Sequence, residues 1–180
     1  MSVNSSGLAG ITLQESNYNE LRANHVYSNW LNGFMIIKSS KNMLINNNVE
    51  KNKFGIFLQD STNNTLEDNN ISENSEGICL QNASGNKIYT NEINSNERYG
   101  IDTCKCKDNN EYNMNQIKNN GIGFYIDNSN DNITGDNLLE GNEIDIEKAP
   151  AIKPLQKLLI IGVAFILFIA VSLIFLKNKN

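Results

Sequence analysis

Glycine recurs along this chain at 10, 33, 55, 77, 100 and 123, in steps of 22 or 23 residues. Each glycine opens a short run: Gly10-Ile-Thr-Leu13, Gly33-Phe-Met-Ile36, Gly55-Ile-Phe-Leu58, Gly77-Ile-Cys-Leu80, Gly100-Ile-Asp-Thr103 and Gly123-Phe-Tyr-Ile126. Positions one and three after the glycine face one way and position two the other, which is the period of a strand. A second set of marks keeps the same step. Asparagine stands at Asn19, Asn42, Asn64, Asn86, Asn110 and Asn132, and five residues later at Asn24, Asn47, Asn69, Asn91, Asn115 and Asn137. A third column follows at Asn29, Asn52, Asn74, Asn96, Asn120 and Asn142. Two residues after the second column comes an aliphatic: Val26, Val49, Ile71, Ile93, Ile117, Leu139. The same holds after the first column at Leu21, Leu44, Leu66 and Ile88, with Tyr112 and Thr134 closing the series.

A unit of about 22 residues is too small to bury its own apolar side, so copies must stack. Three short strands per unit, separated by turns, would close one coil. Successive coils then pair strand on strand at about 4.8 Å per step. The expected fold class is therefore all-β, a single-stranded parallel β-helix of about six 22–23-residue coils. Asparagine suits its corners because it tolerates left-handed backbone and bonds locally. Stacked in register, the first two Asn columns are expected to form amide ladders. The repeated glycines are expected at corners of positive φ. A disordered Asn-rich tract would not hold aliphatic phase through six units, and a leucine-rich repeat would need a helical return that these units lack.

Composition fits this reading. Asn accounts for 34 of the 180 residues. Residues 1–156 carry 12 Lys and Arg against 20 Asp and Glu, a balance of −8, and the rest adds three Lys to give −5. Such an acidic body excludes a nucleic-acid partner, because phosphates are repelled. The three cysteines, Cys79, Cys104 and Cys106, are too few for a disulfide framework.

The unit "GIFLQDSTNNTLEDNNISENSE" resembles the repeat of NosD-type right-handed parallel β-helix proteins. The likeness covers about residues 3–146 and rests on scaffold positions. It implies a right-handed coil. Such domains carry the labels periplasmic copper-binding, carbohydrate-binding or sugar-hydrolysis β-helix, and the resemblance points to archaeal surface proteins with a C-terminal membrane anchor. No copper ligand lies in the matching motif.

The two ends differ from the middle. Residues 158–176, "LLIIGVAFILFIAVSLIFL", form an uncharged run of 19 residues. At about 1.5 Å per residue it matches the hydrocarbon thickness of a bilayer. The expected organisation is 1–146 β-helix, 147–157 linker, 158–176 transmembrane helix and 177–180 a short basic tail. Lysines at 153 and 157 balance those at 177 and 179, so charge leaves the orientation open. The resemblance favours an extracytoplasmic β-helix on a single-pass membrane protein, with a cytoplasmic β-helix on a tail anchor as the rival. At the other end, "VNSSGLAG" aligns with "INSNERYG" of a later unit. The first coil is thus expected to be incomplete, as in a piece of a longer protein.

Candidate sites are sparse. Outward acids, Glu15, Asp60, Asp102 and Asp127, look scattered, with no two stacked on adjacent coils, so no catalytic residue is assigned. Cys104 and Cys106, two apart, should share a strand face with Cys79 one coil below. Together they form a weak candidate set for a soft metal such as copper(I). The lone His25 reads as surface. Phe57, Tyr125, Tyr27, Trp30 and Tyr99 are outward aromatics able to stack on sugar rings, and Asn63, Asn70 and Asn82 lie in glycosylation sequons. The expected function is a non-catalytic, membrane-anchored surface β-helix without cofactor. Its partners would be polysaccharide or other surface proteins. The alternatives are a fragment of a carbohydrate-active lyase or hydrolase and a copper-binding protein.

Overall fold

The computed structural model describes residues 1–104, 106, 109–127, 129, 131, 133 and 136–149. The apolar run 158–176 lies outside the described residues. Among those described, no helix is long and apolar enough to cross a membrane.

Residues Met1–Ala149 form one compact unit built of three parallel sheets. The wide sheet has seven strands, Ala9–Gln14, Asn32–Ile37, Phe54–Gln59, Glu76–Gln81, Tyr99–Cys104, Ile122–Asp127 and Ile144–Lys148. A narrow sheet of seven three-residue strands runs from Ser2–Asn4 to Leu138–Glu140, and another of five runs from Glu20–Arg22 to Glu111–Asn113. Every pairing joins one coil to the next. The last wide strand carries two residues past the expected boundary at 146, because Ile144 and Ile146 pair with Ile122 and Phe124.

Like stacks on like inside the tube. Ile56, Ile78 and Ile101 pair in register in the wide sheet, Leu44, Leu66 and Ile88 in the five-stranded sheet, and Val49, Ile71, Ile93 and Ile117 in the other. All are fully buried. The column closes on larger side chains, Tyr112 edge-on to Phe124 at 5.4 Å, with the Tyr112 hydroxyl donating to Asp131 Oδ2 at 2.9 Å.

The corners explain the asparagines. Asn69 Nδ2 donates to Asn91 Oδ1 one coil on (2.9 Å) and to the Leu44 carbonyl one coil back (2.8 Å). The same contacts join Asn19, Asn42, Asn64, Asn86 and Asn110. They also join Asn24, Asn47, Asn69, Asn91, Asn115 and Asn137. The third column, Asn29 to Asn142, does likewise. Beyond Asn110 the acceptor is Asp131, whose two carboxylate oxygens take the Asn110 backbone N–H (3.2 Å) and Nδ2–H (2.9 Å). Asn132, expected on this ladder, lies outside the described residues.

The left-handed backbone falls elsewhere than expected. Positive φ falls on residues that precede ladder Asn, among them Lys41 at 57°, Asp68 at 52° and Glu73 at 54°. The repeated glycines have none, and among the described residues only Gly85 and Gly141 are positive-φ glycines. The reason for the repeat is room. A Cβ on Gly77 would sit 2.6 Å from the Gly100 carbonyl oxygen and 2.9 Å from Ile93. Adjacent coils approach too closely there for any side chain.

A fourth corner carries a hydroxyl ladder. Ser39 Oγ accepts the Ser16 N–H (3.0 Å), and Ser61 Oγ accepts that of Ser39 (3.1 Å) while donating to the Ile36 carbonyl (3.1 Å). Ala83 and then Cys106 follow at the same step.

Candidate functional site

The outward face of the wide sheet carries three columns of side chains. One precedes each glycine: Asn32, Phe54, Glu76, Tyr99, Ile122. The second lies two after it: Met35, Phe57, Cys79, Asp102, Tyr125. The third lies four after it: Ile37, Gln59, Gln81, Cys104, Asp127. Between them opens a cleft of about 370 Å³ that runs from Leu31 and Asn32 past Phe57 to Asp102 and Cys104.

At one end of this cleft chemistry concentrates. One ligand atom each from Glu76, Cys79 and Asp102 lies within 4.8 Å of the others. Cys79 Sγ is 3.8 Å from Asp102 Oδ2, and Cys104 Sγ is 3.6 Å from Asp127 Oδ2. Arg98 Nη1 donates to Glu76 Oε1 at 2.8 Å and its Nη2 to the Tyr99 hydroxyl at 3.0 Å. Tyr99 stacks on Tyr125 with centroids 4.7 Å apart and planes 14° apart.

Electrostatics follow from burial. Desolvation raises Glu76, with Arg98 opposing. Desolvation, then the charge of Glu76, pushes Asp102 up to about 7. Cys79 is held well above the usual thiol range by burial and by Asp102. Two acceptor atoms in the cleft, Asn32 Oδ1 and Asp102 Oδ1, are shut off from solvent without a hydrogen-bond partner.

The structure separates the cysteines that spacing had grouped. The wide strand ends at Cys104, whereas Cys106 lies in the core with its Sγ 3.3 Å from the Leu80 carbonyl. It stands where the hydroxyl ladder stands, and burial pushes its thiol up to about 12. The acids prove less scattered than expected. Glu76 and Asp102, on adjacent coils, face one another across Cys79. Glu76 precedes the glycine, outside the alternating run, so the repeat pattern does not single it out. Its place shows only in the register of the two columns, Glu76 on Tyr99 and Cys79 on Asp102.

Of the other candidates, Asp60 accepts from Asn82 on the next coil. His25 stacks on Tyr27 at 4.4 Å and lies 2.7 Å from Glu50 Oε1, on a different sheet from the cleft. Trp30 stands 76% exposed.

Residues 9–152 match the family described as "Right handed beta helix region". No curated protein matches the chain. Among solved structures, the periplasmic alginate epimerase AlgG is similar at 18% identity and TM-score 0.66, over 83% of this chain and 44% of that one. The Azotobacter vinelandii mannuronan C-5 epimerase AlgE6 A-module is similar at 14% identity and TM-score 0.66, over 83% of this chain and 56% of that one. The chain thus spans about half the length of the structures it matches, and the likeness is one of fold.

Proposed function

The chain belongs to the right-handed beta-helix family, and from that premise we propose that it binds carbohydrate along the outward face of its wide sheet. The observation that carries the reading is a cleft that sets the Phe57 ring between Asn32 and Asp102, whose orphaned oxygens gain a donor only by turning toward a ligand in it. Buried acceptors without donors are costly. A sugar presents hydroxyl donors at its rim and an apolar ring face. The cleft offers Phe57 for that face, and the Tyr99–Tyr125 stack continues it. Asn32 and Asp102 are three coils apart, roughly 14 Å at the strand spacing, which suits a chain of sugars lying along the axis.

Charge narrows the class. Glu76, Asp102, Asp127 and Glu147 face outward here against Arg98 and Lys53, so neutral glycans are favoured over uronates. The reading is of a binding surface without covalent chemistry, held at the membrane by residues 158–176 with the coils on the outer side. The AlgG and AlgE6 names speak of epimerases, and they support a carbohydrate role by fold alone.

Calorimetry with neutral and uronic oligosaccharides tests it. Neutral chains should bind, and Tyr99→Ala should weaken them at least tenfold with strand content unchanged in circular dichroism. No binding to any glycan would overturn the reading. Acid–base catalysis is the second reading, favoured by an Asp102 that titrates at about 7. NMR of the recovered glycan separates the two, since only turnover alters its spectrum.

A further inference from the structure

We propose that Glu76, Cys79 and Asp102 form a site for a thiophilic divalent cation of the zinc class. The proposal shares Asp102 with the glycan reading but rests on its own set of ligand atoms. It begins with geometry: three potential ligand atoms, one sulfur and two carboxylate oxygens, lie within 4.8 Å of one another on two adjacent coils. Zinc binds sulfur at about 2.3 Å and carboxylate oxygen at about 2.1 Å, so tetrahedral neighbours sit roughly 3.5 Å apart. The 3.8 Å between Cys79 Sγ and Asp102 Oδ2 is already close to such an edge. Small rotations of Glu76 would complete three corners.

Burial separates this cluster from an ordinary acidic patch. Glu76 is 5% and Cys79 6% exposed. Asp102 Oδ1 is shut off from water and has no hydrogen-bond partner. A solvated surface carboxylate has neither property. Among the described residues the one ion pair reaching the three is Arg98 with Glu76. Arg98 is half exposed, so it can turn to solvent as a cation enters. A thiol among the ligands selects a soft or borderline ion over calcium or magnesium, which want six or more oxygens or an octahedral oxygen shell. On binding, the Cys79 S–H bond breaks, the sulfur keeps the electron pair and bonds the cation, and the proton leaves to solvent. A fourth position would remain open toward the cleft.

Cobalt(II) reads the site directly, because thiolate ligation produces a sulfur-to-metal charge-transfer band. The full chain titrated with cobalt should show this band saturating at one equivalent, and zinc should bleach it. Cys79→Ser should abolish the band and weaken zinc at least tenfold. Cys104→Ser and Cys106→Ser should leave both intact. If Cys79→Ser does not fold, Asp102→Asn carries the test, with the same tenfold loss of zinc affinity in a chain of unchanged circular dichroism. Absence of the band in the parent chain would overturn the proposal. So would a band that survives Cys79→Ser or vanishes with Cys104→Ser. Glycan binding is measured separately with chelator present, so failure of either reading leaves the other's result distinct.

Discussion

Asn91 Oδ1 accepts two hydrogen bonds from Asn69, one from its backbone N–H at 3.0 Å and one from its Nδ2–H at 2.9 Å. Both residues are about 1% exposed. The corner thus satisfies its own turn N–H, binds the next coil and leaves no buried amide idle. Aliphatic stacks supply the apolar burial, while these ladders fix the rotation of each coil on the last.

Asn69→Ala removes the acceptor of the Asn47 N–H and Nδ2–H and a donor to the Leu44 carbonyl. Each orphaned buried group costs about 1–3 kcal/mol. The variant should lose roughly 3 kcal/mol in urea unfolding. A loss under about 1 kcal/mol would show that water or neighbours replace the ladder.

Gly77→Ala drives a methyl against the Gly100 carbonyl oxygen at 2.6 Å, where backbone has to move. Overpacking of this kind costs typically about 1–3 kcal/mol. Gly7→Ala meets nothing within 4 Å. The first substitution should lower the melting temperature by several degrees and the second leave it unchanged, as differential scanning calorimetry would read.

Cys106→Ser should be nearly silent in stability, within about 1 kcal/mol. Ser61 on the same corner already holds a hydroxyl on the Ile36 carbonyl at 3.1 Å, as Cys106 holds its thiol on that of Leu80. Cys106→Leu should overpack the core and cost about 1–3 kcal/mol in the same urea series.

Asp102 gives the fold a pH dependence whose sign is set by its raised pKa. Unfolded, the carboxyl titrates near 3.8; folded, burial and Glu76 hold it at about 7. Its contribution is therefore full below about pH 4 and lost as pH rises through about 7. In chelator, the unfolding midpoint of Asp102→Asn relative to the parent should climb between pH 4 and 7 and level off above. A flat difference would mean the carboxyl ionises freely in the native state.

The sequence by itself determined the unit, its strand phase and its corners. A 22-residue step repeated in glycine, asparagine and aliphatic columns admits only structures in which each unit lies on the last, so vertical neighbours such as Ile78 and Ile101 can be read from position alone. Lateral neighbours cannot. Alternation says which side of a strand a residue faces, but not where the strand stops or what the turn does. Cys106 therefore went inside although it stands two from Cys104, and Glu76 joined Asp102 although it lies before the glycine. The glycines' true role was likewise hidden, because positive φ and close backbone approach leave the same mark in a sequence. The tertiary structure decided these points because they depend on distances across a coil, which the repeat period does not encode.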